Sequence, residues 1–291
     1  MKANNTTTVL VTGGKGQLAS CIKDIESQYQ DLKIIYTDYL DLDVCDLQQV
    51  QSFFRANKID YCVNCAAYTA VDKAEEEQDK AFDINANGPK HLALACKDSN
   101  AVLIHISTDF VFDGNKKAPY LETDTPNPLS VYGASKLQGE LEIQKVLKEH
   151  FIIRTSWLYS EYGHNFMKTM LKLAEARDEI SVVSDQIGTP TYAGDLAKVI
   201  LEIISTRTES YGLYNYSNEG VTSWYGFAKA IFELSGKQVK VHPIATEAFP
   251  TAAKRPRYSV LDVAKIKQQL EPFNDGWESR LEIALKKGVK S

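Results

Sequence analysis

TVLVTGGKG, residues 8–16, sets a β-branched run against glycines, and the residues after it place Leu18, Ile22 and Ile25 at helical spacing. That order is strand, turn, helix. Gly13, Gly16 and the small Ala19 lie three apart, a G-x-x-G-x-x-A form of the fingerprint in which glycines admit a pyrophosphate to the backbone. A tight turn between any strand and helix also carries glycines, so the following elements have to decide. A second strand, KIIYT at 33–37, ends at Asp38, 25 residues after Gly13, where a carboxylate can accept hydrogen bonds from an adenosine ribose.

The alternation continues. Asp46 stands before a short amphipathic helix with Gln49 three residues on, as in a capping box, and a buried strand is expected at 61–65. Helices are expected at 74–85 and 89–97. AVLIHIS at 101–107 is nearly continuous in apolar character, which suits a parallel strand covered on both faces. It ends in Thr108 and Asp109, on the edge where ligands of doubly wound sheets gather, although both also suit a simple turn cap. A Gly- and Pro-punctuated loop at 113–129 leads to SVYGASKLQGE, 130–140, and a strand at 151–155 follows. Further on the elements shorten: helices at 165–176, 195–205, 224–235 and 262–270, strands at 180–183, 213–216 and 239–241. The expected fold is α/β, a Rossmann-type doubly wound parallel sheet with a smaller C-terminal α/β substrate lobe. Residues 1–157 would carry the dinucleotide and 158–291 mainly the substrate, with some segments returning to the first unit.

Tyr132 and Lys136 are four apart in a stretch of helical spacing, so they share one face. A neighbouring ammonium favours phenolate and draws a tyrosine down from about 10, making the pair a candidate acid unit. Taken alone, the spacing also fits a solvated helix face.

Lys plus Arg number 33 against 38 Asp plus Glu, a net charge of -5, and no basic run suggests nucleic acid or an anionic membrane as partner. No apolar stretch approaches the roughly 18 residues of a membrane span. The N-terminus, MKANNTTTVLVTGG, has no signal-peptide core, and five cysteines, an odd number, suit a reducing cytoplasm. Cys62 and Cys65 form a C-x-x-C, but within a strand residues three apart face opposite sides, so buried small hydrophobes are expected rather than a metal pair.

TGGKGQLA at 12–19, NCAAYTAVDKAE at 64–75, STDFVFDG at 107–114 and YGASK at 132–136 together resemble the extended short-chain dehydrogenase/reductase superfamily. RTSWLY at 154–159, NFMKTML from 165, DQIGTPTY at 185–192 and RPRYSVLD at 255–262 narrow the resemblance to its dTDP-4-dehydrorhamnose reductase family, across residues 9–262. The resemblance implies reduction of the C4 keto group of dTDP-4-dehydro-β-L-rhamnose with NADPH or NADH. Tyr132 would protonate the keto oxygen as hydride arrives from the nicotinamide, Lys136 would hold the nicotinamide ribose, and Thr108 would hydrogen-bond the reacting oxygen. Gly13, Gly16, Gln17 and Leu18 would lie along the pyrophosphate, Asp38 at the adenosine ribose, Asp43 near the adenine, and Ala66, Ala67 and Tyr68 along the cofactor's other half. Thr69, Asp72, Asp109, Trp157, Asn165 and Arg255 would face the dTDP-sugar, Arg255 at its diphosphate.

Three positions depart from the family pattern. Ala19 replaces a glycine, and Phe110 stands where many relatives have tyrosine. Some relatives join subunits through Mg2+ held by glutamates, one on the first helix; Cys21 occupies that position, so the metal's ligands are not matched, and a homodimer without it is left open. A dehydratase of the superfamily would carry Glu after Asp109, where this chain has Phe110. A nucleotide-sugar 4-epimerase remains an alternative, as does a non-catalytic role resembling the regulatory subunit of methionine adenosyltransferase.

Overall fold

The apolar runs at the inner strand positions are buried on both faces in a computed structural model that describes residues 6–270 and 275–290. Residues 1–5, part of the stretch read above for a leader, lie outside the described residues. Six parallel strands form the central sheet: β1 (Thr7–Thr12), β2 (Leu32–Thr37), β3 (Tyr61–Asn64), β4 (Val102–Thr108), β5 (His150–Thr155) and β6 (Gly212–Asn215). Their spatial order is β6-β5-β4-β3-β1-β2, a doubly wound, Rossmann-type arrangement.

Strand alternation sends neighbouring side chains to opposite layers. Val9, Val11 and Ile104 pack with α1 (Gln17–Ile25), whereas Leu10, Cys62 and Leu103 pack with α2 (Leu47–Asn57), α3 (Gly88–Ser99) and α4 (Val131–Val146). Cys62 and Cys65 accordingly join different layers, and both are free thiols. A third apolar cluster, built on Tyr159, Met167, Ile180 and Phe227, lies among α5 (Phe166–Leu173), α7 (Trp224–Ser235) and α8 (Trp277–Lys287). The intervening helix α6 (Ala193–Thr206) does not belong to that cluster: its Leu196, Ile200 and Ile203 pack beside α1 on the main sheet.

Two expectations need correction. The single helix expected at 74–85 is two short turns, Val71–Ala74 and Gln78–Phe82, followed by a π-turn, Asp83–Asn87, that runs into α3. Three consecutive glutamates, Glu75 to Glu77, interrupt the first, and the π-turn swings Asn85 inward. There its amide clasps the backbone of Tyr68 at 2.8 and 3.0 Å and reaches Ser135 Oγ at 3.0 Å. Helix α8 was not expected, although Trp277, Leu281 and Ala284, all buried, repeat at helical spacing. The capping box is half formed: Asp46 accepts from Gln49 N, but the Gln49 side chain turns to Asp43 N.

Helix α4 is the element that carries Tyr132 and Lys136, and its seat is set by two glycines. A β-carbon at Gly133 would lie 2.2 Å from Phe110 O, and one at Gly139 2.2 Å from Asn85 O, so backbone meets helix with nothing between. Ser130 caps the helix through Gly133 N at 3.2 Å. One turn past Lys136, Glu140 binds Arg154 of β5 through two nitrogens, at 2.9 and 2.6 Å, and accepts from Ser107 Oγ of β4. Both charged side chains are almost fully buried, 2% and 3% exposed.

Removing one partner of such a pair leaves an uncompensated buried charge. Glu140→Ala is expected to lose about 3–5 kcal/mol in urea unfolding, and Glu140→Leu combined with Arg154→Met to recover most of it. A Glu140→Ala protein as stable as wild type would show that the pair does not anchor α4.

Candidate active site

The sheet order reverses between β1 and β3, so the chain leaves their carboxyl ends in opposite directions and a crevice opens there. Gly13 closes β1 with φ +65°, and a β-carbon on it would fall 2.8 Å from Ala66 N and 2.9 Å from the Cys65 carbonyl carbon. Only glycine fits. Gly16, the N-cap of α1, offers no side-chain oxygen to the first helical N–H groups, which leaves them for an anion in the crevice. Asp38, at the end of β2, is paired with Lys15 at 3.1 Å. The Tyr39 N–H and then Lys15 hold its carboxyl below the usual carboxylate range.

The crevice widens into a cleft of about 1210 Å³, larger than the roughly 300–1,000 Å³ of a single small-molecule site. Gly13, Gly16, Gln17, Leu18, Asp38, Asp43, Ala66 and Ala67 line it, as do Thr69, Thr108, Asp109, Tyr132, Lys136, Trp157 and Arg255. Tyr68, Asp72 and Asn165 do not. The Tyr68 phenol instead donates to Glu77 at 3.0 Å. Asn165 caps α5 by accepting from Lys168 N, and its amide nitrogen is taken up by the Ser160 and Tyr162 carbonyls. Asp72 receives the Arg255 guanidinium in a fork, at 2.7 and 3.1 Å, which holds its carboxyl below the usual range.

Tyr132 stands with its ring edge-on to Phe110, centroids 5.6 Å apart. Burial pushes its phenol up to about 12, with the Thr108 hydroxyl opposing the shift and the Asp109 carboxyl adding to it. The expected lowering by Lys136 is therefore not found. The reason is geometric: the Lys136 amine is turned under the sheet edge, 2.6 Å from Ile106 O and 3.4 Å from His105 Nε2. Burial brings this amine down to about 8, against the opposing influence of Glu140. At neutral pH the pair is thus a phenol that keeps its proton beside an amine that readily exchanges one. Thr108 is positioned by its neighbours, donating to Asp109 Oδ1 at 3.1 Å and accepting from Phe110 N at 3.2 Å.

Several contributors escaped sequence reasoning. Trp224 lies flat on Trp157, centroids 3.6 Å apart, and both line the cleft. Trp157 adopts φ +46°, uncommon for a residue with a side chain, while Gly188 clears room for its ring. The two tryptophans are far apart in the chain, and no local signal pairs them. Among the described residues no group of three or more His, Cys, Asp or Glu side chains is arranged to hold a metal ion. Cys21 points inside, where burial and then Glu161 push its thiol up to about 12.

The family model described as "RmlD substrate binding domain" matches residues 7–289. A dTDP-4-dehydrorhamnose reductase of Aggregatibacter actinomycetemcomitans is 41% identical over 283 residues, 94% of this chain and 96% of that protein. The crystal structure of a dTDP-4-dehydrorhamnose reductase from Clostridium acetobutylicum superposes with a TM-score of 0.93 at 43% identity, covering 97% of this chain and 99% of that one. That of the Bacillus anthracis enzyme in complex with NADP gives a TM-score of 0.93 at 41% identity with the same coverage.

Asp109 yields a measurable pH signature. Its buried carboxyl is raised to about 6, above its ordinary value, so the folded state binds a proton more tightly than the unfolded chain. Stability is then lost as pH rises between about 4 and about 6, by roughly 3 kcal/mol in all. Asp109→Asn lacks this loss. Relative to wild type it should gain about that much on going from about pH 4 to about pH 7 in urea unfolding, and parallel curves would show that Asp109 is not held protonated.

Proposed function

Since this chain belongs to the dTDP-4-dehydrorhamnose reductase family, an oxidoreductase family of dTDP-rhamnose biosynthesis, we propose that it reduces the C4 keto group of a dTDP-linked 4-keto sugar with Tyr132 as proton donor. The observation that carries this assignment is placement: Tyr132 lines the large cleft together with Thr108, which stands at the end of β4. A phenol that carries its proton at neutral pH, as tyrosine does, and opens on that cleft can hand the proton to a substrate oxygen; its burial is a cost to acidity that the bound reactants have to offset.

The glycine-lined crevice fits a nicotinamide dinucleotide, because Gly13 and Gly16 line the cleft without side chains and the α1 N–H groups suit a pyrophosphate. When bound, the dinucleotide supplies hydride. Gly13, Gly16, Gln17 and Leu18 would hold its pyrophosphate, Asp38 and Asp43 its adenosine end, and Ala66, Ala67 and Lys136 its other half. Thr108 orients the keto oxygen and helps stabilise the phenolate left on Tyr132. Asp72 and Asn165, outside the cleft lining, act by aiming Arg255 and fixing α5; Tyr68 enters through its backbone, tied to Asn85. Thr69, Asp109, Trp157 and Arg255 remain the residues assigned to the sugar nucleotide. Residues 1–157 thus serve mainly the dinucleotide and 158–291 mainly the substrate.

Tyr132→Phe keeps the ring and removes the acid, and general acid catalysis typically contributes about 10² to 10⁴ in rate. Turnover should fall by that order while dinucleotide affinity, read by NAD(P)H fluorescence, stays near wild type. Near-normal kcat with chemistry limiting would remove Tyr132 from the acid role. Stoichiometric consumption of reduced cofactor in the same assay separates a reductase from an epimerase, which recycles it.

Cofactor preference follows from the Lys15–Asp38 pair. The carboxylate disfavours a 2′-phosphate and the ammonium favours one, so both NADPH and NADH should serve. Asp38→Ala is expected to raise the NADPH to NADH ratio of kcat/KM, and an unchanged ratio would place Asp38 away from the ribose.

A further inference from the structure

Below Lys136 runs a buried chain of polar groups that the acid assignment does not use. Thr12 at the end of β1, Asn64 at the end of β3 and His105 within β4 are each no more than 1% exposed. The Thr12 hydroxyl donates to Asn64 Oδ1 at 2.7 Å, and the Ala66 N–H donates to the same oxygen at 3.2 Å. A backbone N–H only donates, so this atom is fixed as the amide oxygen. The NH₂ end of Asn64 therefore faces His105 Nδ1, 3.0 Å away, and Nδ1 accepts. A neutral imidazole whose Nδ1 accepts carries its hydrogen on Nε2, the atom that faces Lys136 Nζ at 3.4 Å. Neutrality is assured by position: His105 is wholly buried, with burial first and then the Lys136 charge holding its basicity well below the usual value.

We propose that His105 is a positioning residue for the acid pair, its Nε2–H locked by Asn64 onto Lys136 so that the neutral amine is favoured and the ammonium's hydrogens are steered to Ile106 O and the cleft. This rests on the reading that Lys136 supports Tyr132. An N–H dipole repels an ammonium but donates to an amine, so the same contact that orients Lys136 loosens its extra proton. The other titratable groups that act on Nζ are Glu140, on α4 itself, and Cys65 beyond β3. Arg154 of β5 neutralises Glu140, and His150, at the start of β5, adds to the lowering at His105.

The test follows the Lys136 amine by NMR of ¹³C-lysine-labelled protein, its signal assigned by loss in Lys136→Arg. In His105→Met the side chain keeps its bulk but has no N–H to face Nζ, and its sulfur can accept weakly from Asn64 or from the ammonium. The Lys136 titration should then move up by about one pH unit, tenfold in proton affinity. A folded His105→Met protein with an unmoved Lys136 titration overturns the proposal. If that variant does not fold, the ¹⁵N spectrum of the wild-type imidazole decides: hydrogen on Nε2 supports the proposal, and hydrogen on Nδ1 overturns it. Neither readout needs turnover, so a Tyr132→Phe enzyme that kept its rate would remove the acid assignment and leave these measurements standing.

Discussion

Everything chemical in this protein hangs on how closely α4 is pressed against the sheet edge. The helix meets the backbone of Phe110 and Asn85 at Gly133 and Gly139, and the buried Glu140–Arg154 pair ties it to β5. Tyr132, Lys136 and Glu140 rise along one stripe at four-residue intervals, so one seating fixes all three. The lowest is a structural anchor, the middle one lies beneath the sheet edge and the highest reaches the cleft. A bulkier residue at either glycine would lift the whole ladder and separate the phenol from Thr108.

The fold was largely legible because it is written in local pattern. Parallel strands buried on both sides read as apolar runs, and the order of elements from 8 to 155 left few arrangements of the sheet. The helix at 224–235 has the bounds expected of it. What failed was local pattern broken by distant demand. The expected helix at 74–85 yields to Asn85, whose side chain serves the backbone of Tyr68 and the hydroxyl of Ser135.

At the cleft, residue types were legible and their aims were not. Tyr132 and Lys136 are neighbours in the sequence pattern, yet Lys136 answers to β4, because the sheet register puts Ile106 O and His105 beneath it. Arg255 and Asp72 were both expected to face the substrate, and 183 residues of separation hid the fork between them. Fifteen of the residues named from sequence nevertheless line one cleft, since motifs at strand ends converge wherever the sheet places those ends.

One feature of the topology bears on how the molecule comes into being. The edge strand β6 pairs with β5, and α6 covers the main sheet beside α1, yet both arrive after the chain has entered the third cluster at α5. The main sheet cannot be completed until about residue 215 has left the ribosome. Nearly three quarters of the polypeptide thus precedes the end of the strand that covers the outer edge of β5. No single cut in the sequence therefore separates the main sheet from the third cluster, because the chain enters that cluster before it returns to finish the sheet.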